Sequence, residues 1–118
     1  MAAETTDLEH VGYGVSSWLR EEDGTRYRRT SGDATLFVPA NARAVDIPLR
    51  LLSASDPVTV EIVFRNRVGD RIVVAAPAWQ TYRLMLAPGR SEARFVPVRL
   101  RVVSGDPHNL AIGRTVGR

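Results

Sequence analysis

Residues 44–51 read AVDIPLRL, and the side chains alternate in kind: Val45, Ile47, Leu49 and Leu51 are apolar, while Ala44, Asp46, Pro48 and Arg50 fall between them. Successive side chains of a strand point to opposite faces, so this two-residue rhythm predicts a half-buried strand. The rhythm recurs down the chain. Val58, Val60, Ile62 and Phe64 alternate with Thr59, Glu61, Val63 and Arg65, and Val96, Val98, Leu100 and Val102 alternate with Pro97, Arg99 and Arg101. Several such runs separated by turn residues, with no amphipathic helix or repeat, predict an all-β fold: an antiparallel two-sheet β-sandwich, jelly-roll-like, of about eight or nine strands. The core is expected at Val45, Ile47, Leu49, Val58, Val60, Ile62, Phe64, Val98 and Leu100.

Working outward, residues 1–10 carry no period and are expected to form a flexible N-terminal arm, leaving 11–118 as one β-sandwich domain. The segment VGYGVSSWLR (11–20) reads as a first strand, and Glu21-Glu22-Asp23-Gly24 as its turn. Asp-Gly favours a two-residue hairpin, because both central positions need positive φ. With Asp23-Gly24 at the centre, Arg20 faces Tyr27 and Trp18 faces Arg29, which puts Trp18, Arg20, Tyr27 and Arg29 on one face. Ser31-Gly32-Asp33 reads as a turn before ATLFVP, and RNRVGDR as a connection from 58–65 to a strand at 71–75. Pro48 cannot donate to a ladder, which predicts an edge, a bulge or a switch between sheets.

Composition limits the chemistry. The 118 residues include no Cys, which excludes thiolate catalysis, Cys-ligated zinc and disulfides. All 16 basic residues are Arg, which reads first as the coding bias of a GC-rich bacterial genome. Acids dominate the first half and Arg the second, yet most of these Arg occupy outward strand phases, where a solvated face needs charge. The start, MAAETTDLEH, carries acids where a signal peptide needs a basic and then an apolar region, and no apolar run reaches membrane length. A soluble, uncleaved chain without direct membrane insertion is expected, and specific nucleic-acid binding is not.

No residue pattern rises to a catalytic mechanism. His10 and His108 lack partners at metal-ligand spacing, and Asp7, Glu9, Asp33 and Asp106 form no clustered calcium run. Glu21, Glu22 and Asp23 read as a solvated turn and Glu61 as an outward strand residue, which leaves no pair of carboxylates for glycoside hydrolysis. Trp79 reads as structural. What remains is the constellation Trp18, Arg20, Tyr27 and Arg29, aromatic faces beside polar groups of the kind that stack on sugar rings. The competing reading places Trp18 and Tyr27 in the core of a terminal hairpin. No metal or cofactor is expected.

The run YRRTSGDATLFVPANARAVDIPLRLLSASDPVTVEI, followed by a hairpin, AWQTYRLML and FVPVRLRVV, resembles small β-sandwich domains related to carbohydrate-binding modules. Domains of this type end bacterial membrane glycosyltransferases and related envelope proteins. The resemblance spans about residues 12–116 and departs at Arg29, where such domains often carry an aromatic. It implies a non-catalytic accessory or binding module, glycan-related, belonging to a larger bacterial envelope protein and extracytoplasmic in that setting. The alternative is a protein–protein interaction or assembly module that uses a sheet face or edge; the partner is then a parent or partner protein rather than a glycan.

Overall fold

A computed structural model of the protein describes residues 12–64, 67–86 and 94–118. The expected arm at 1–10 lies outside the described residues. Ten strands run through the rest: β1 (Gly12–Val15), β2 (Leu19–Arg20), β3 (Arg26–Pro39), β4 (Ala44–Leu51), β5 (Val58–Phe64), β6 (Arg67–Val74), β7 (Gln80–Met85), β8 (Phe95–Ser104), β9 (Leu110–Ile112) and β10 (Val116–Gly117). All pairings are antiparallel.

The strands form two layers. One has the order β1-β3-β8-β5-β6; the other has β7 on one side of β4, with β9 and β10 end to end on its other side and β9 pairing onward to the start of β3. Strand β3 belongs to both layers: Arg28 and Arg29 pair with β9, while Asp33–Pro39 pair with β8. The expected turn at Ser31-Gly32-Asp33 is therefore strand, bent at Gly32 (φ 132°) where the chain passes between layers. The chain crosses between layers repeatedly, as in a jelly roll.

Alternation decides burial as expected. Val45, Ile47, Leu49, Val58, Val60, Ile62, Val98 and Leu100 are buried between the layers, and Phe64 packs partly buried against them. Fully burying such a side chain is worth about 1.5–3 kcal/mol. Of the three alternatives Pro48 meets the bulge: it lies in an interior strand, where residues 47–48 stand opposite the three residues 113–115 between the Asp46–Val116 and Leu49–Ile112 pairs. Its carbonyl accepts from Gly113 N–H at 2.9 Å, and its missing donor faces the irregular link between β9 and β10, where no regular ladder asks for it.

Three further local readings change. The segment 11–20 is two strands, β1 and β2, broken at Ser16–Trp18. The second hairpin turns earlier than expected: β6 starts at Arg67, and Gly69 is the extra residue of a bulge, with Ile62 opposite Asp70 and Val63 opposite Val68. The first hairpin is shifted by one. Leu19 faces Tyr27 and Arg20 faces Arg26, because the loop has three residues, Glu22-Asp23-Gly24, with Gly24 at φ 90° and Glu21 N–H donating to Thr25 O at 2.8 Å. A one-residue slip exchanges faces.

Candidate functional site

The shifted register disperses the constellation expected at the first hairpin. Trp18, Arg20, Arg26 and Arg28 now fall on one face, and Leu19, Tyr27 and Arg29 on the other. The Trp18 ring lies 4.4 Å from the Arg28 guanidinium, which is 2% exposed and whose pKa burial holds below its ordinary value. Arg29 turns to the His108 carbonyl at 3.0 Å. The four residues do not form one platform.

A different cluster forms on the outer face of the β4 layer. Strand β4 points Asp46, Pro48 and Arg50 outward, and in register with them β7 points out Thr81 and Arg83. Trp79 shares that phase, just before β7. The Arg50 guanidinium sits 5.2 Å from the Trp79 ring centre and donates to the carbonyls of Leu51 at 3.1 Å and Pro77 at 3.4 Å. It also pairs with Glu21, whose second oxygen accepts from the Trp79 indole N–H at 3.4 Å. Glu21 and Arg50 are largely covered, at 19% and 15% side-chain exposure, so the ion pair is a partly desolvated clamp that fixes the half-buried indole.

Beside this clamp lies an open cleft of about 400 Å3. Trp79, Pro48 and Gly113 form its apolar part, the hairpin tip Gly24-Thr25-Arg26 one wall, and Arg114 its remaining polar lining. Gly113 is required by close approach: a Cβ there would sit 2.8 Å from Pro48 Cβ and 3.3 Å from the Trp79 ring. Two other depressions are larger, about 520 and 540 Å3, but neither has a Trp, Tyr or Phe in its lining.

Three further carboxylates are held by arginines. Asp46 takes two hydrogen bonds from Arg83, at 2.7 and 3.1 Å, and one from Arg118 at 2.9 Å, which hold its pKa down at about 2. On the opposite outer face Arg99 binds Asp33 through both carboxylate oxygens, while Glu61 lies beneath Arg71 and Arg101. Asp106 caps the short 3-10 turn at Pro107–Asn109, accepting from His108 N–H at 2.9 Å. Among the described residues no group of three or more His, Asp or Glu could hold a metal.

The Trp79 cluster escaped the sequence reading, although one signal was present. Tyr82, Leu84 and Leu86 set the inward phase of β7, and Trp79 lies on the other parity. Glu21 reads locally as a turn residue, whereas its pairing with Arg50 and Trp79 joins positions 29 and 58 residues away.

No family model and no curated protein matches the chain. Solved structures do. A family 29 carbohydrate binding module, studied for its mechanism of ligand recognition, superposes with a TM-score of 0.56 at 13% identity, covering 91% of this chain and 78% of its own. The C-terminal family 6 module of the laminarinase LamC from Zobellia galactanivorans gives 0.56 at 14%, covering 89% and 88%. A family 6 module from Clostridium stercorarium, in complex with cellobiose, gives 0.54 at 8%, covering 91% and 85%. This chain has the β-sandwich fold of carbohydrate-binding modules.

Proposed function

We propose that this chain is a non-catalytic carbohydrate-binding module that holds a glycan against Trp79, within a larger bacterial envelope protein. The observation that carries the reading is the fixed, half-exposed indole beside an open cleft. A sugar ring gains dispersion and CH–π contact from such a surface, and a ring already held by Arg50 and Glu21 loses little entropy on binding. By register, Arg29, Ala111 and Arg50 share the outer face of the β4 layer, and Tyr27 shares that phase on β3, so Tyr27 and Arg29 extend the surface while Trp18 and Arg20 lie off it. The non-catalytic reading is supported by the state of the carboxylates. Glu21 and Glu61 are each paired with guanidinium groups, and the hydrogen bonds from Arg83 and Arg118 hold the Asp46 carboxyl well below the usual carboxylate range, which makes it a poor general acid.

The test is titration of the protein with a panel of neutral and acidic oligosaccharides, followed by calorimetry and Trp emission. Trp79→Ala should abolish the binding seen with the native chain and shift the melting temperature little. Binding that survives Trp79→Ala but is lost in Trp18→Ala would place the site elsewhere.

A further inference from the structure

We infer that Glu21 is a positioning residue for the Trp79 cleft: it latches the hairpin at residues 19–27 against the β4 layer as a hinged wall, and the cleft is complete only in the latched state. The inference rests on the glycan reading for its ligand and adds how that site is controlled. The hairpin is anchored at its base. Arg28 and Arg29 pair with β9, Ser16 N–H donates to Arg29 O at 2.8 Å, and the Trp18 ring lies against the Arg28 guanidinium. Beyond that base little holds it. Strand β2 has two residues and, among the described residues, pairs with β3 alone, while residues 22–26 are exposed. A two-stranded ribbon of this size is marginal without tertiary support.

Glu21 supplies such support. It has the parity of Leu19, which faces Tyr27, so its side chain leaves the ribbon on the face shared with Arg29, Ala111 and Arg50. There one carboxylate oxygen pairs with Arg50 and the other accepts from the Trp79 indole N–H at 3.4 Å. Arg50 is fixed in turn by its bonds to Leu51 O and Pro77 O. One carboxylate thus joins the hairpin to the aromatic ring. Gly24 and Thr25 at the hairpin tip line the cleft, so release of Glu21 withdraws that wall and frees the indole together. A sugar that touches both the tip and Trp79 binds the latched state better and favours closure; loosening the latch lowers its apparent affinity in proportion to the fraction of molecules still closed.

Amide hydrogen exchange on the whole protein, compared with Glu21→Gln and Glu21→Ala, reads the latch without any ligand. Losing hydrogen bonds to a charged group should speed exchange in β2 and at residues 25–27 about tenfold in Glu21→Ala, while residues 34–38 in the β3–β8 ladder keep their rates. Glu21→Gln retains one acceptor and should fall between, and the Trp79 indole N–H signal in NMR should move in the same order. Unchanged exchange at the hairpin, or acceleration shared equally by residues 34–38, overturns the inference: the first shows that Glu21 latches nothing, the second that it serves global stability alone. An oligosaccharide from the panel above should slow hairpin exchange in the native chain and bind Glu21→Ala about tenfold more weakly. Affinity indifferent to Glu21 overturns the positioning role and leaves the glycan reading standing. If no sugar binds the native chain, the glycan reading falls, and the exchange pattern alone decides the latch.

Discussion

At the scale of single residues, each buried or half-buried carboxylate among the described residues anchors arginine, and Asp46 shows the consequence most directly. Its side chain leaves the outer face of β4 under Arg83 and Arg118, and their hydrogen bonds lower its pKa from 3.8 to about 2. A depressed folded-state pKa stabilises the fold in full above the unfolded value and loses that contribution as pH falls to the folded value. The native protein should therefore lose stability between about pH 4 and about pH 2. Asp46→Asn should be less stable than the native chain near neutrality, and the difference between the two should shrink across that acid window in thermal melts. A difference independent of pH would show that Asp46 contributes through packing rather than through its charge.

At the scale of elements, the inward phase of a strand determines what a substitution costs. Ile62 in β5 is fully buried, and Thr59, on the other parity, is half-buried on the outer face. Ile62→Ala should cost about 2–5 kcal/mol by removing core contacts and leaving a cavity, and Thr59→Ala under about 1 kcal/mol. Denaturant melts giving equal losses would overturn the assigned phase. The same periodicity is why the strands and their inward faces are legible in the sequence: alternation is local and its physical cause is burial. Register at the first hairpin is not legible in that way, since Asp23-Gly24 suits a two-residue turn while the chain closes a three-residue loop around Gly24. That slip separates Trp18 from Tyr27. The passage of β3 through Gly32 is hidden for a related reason, because Ser-Gly-Asp marks a bend equally well inside a strand switching layers as at a turn. The Glu21, Arg50 and Trp79 cluster depends on the hairpin tip reaching the β4 layer, a tertiary event that no window of sequence contains.

Across the whole molecule, the distribution of arginine determines how the protein meets polyanions. The chain carries a formal net charge of +3, yet among the described residues the arginines that hold carboxylates are shared between two opposite outer faces. Arg71, Arg99 and Arg101 lie over Glu61 and Asp33 on one face, and Arg83, Arg118 and Arg50 are tied to Asp46 and Glu21 on the other. A nucleic-acid backbone would have to draw these groups away from carboxylates and could reach only one face at a time. Nor do aromatics line up along either cationic row: Tyr13 is 66% exposed but packs edge-on against Phe37 at 5.8 Å on one face, while Trp79 lies on the other. Single-strand binders need a continuous groove with successive stacking partners. Mobility-shift titration with single-stranded and duplex DNA should therefore give at most weak complexes that disappear as salt rises toward about 150 mM, the signature of counterion release without base readout. Submicromolar, sequence-selective binding at that salt would overturn the argument, and it would have to be accompanied by loss of the Asp33 and Glu61 pairings, because only their release frees a row of guanidinium groups long enough to follow a strand.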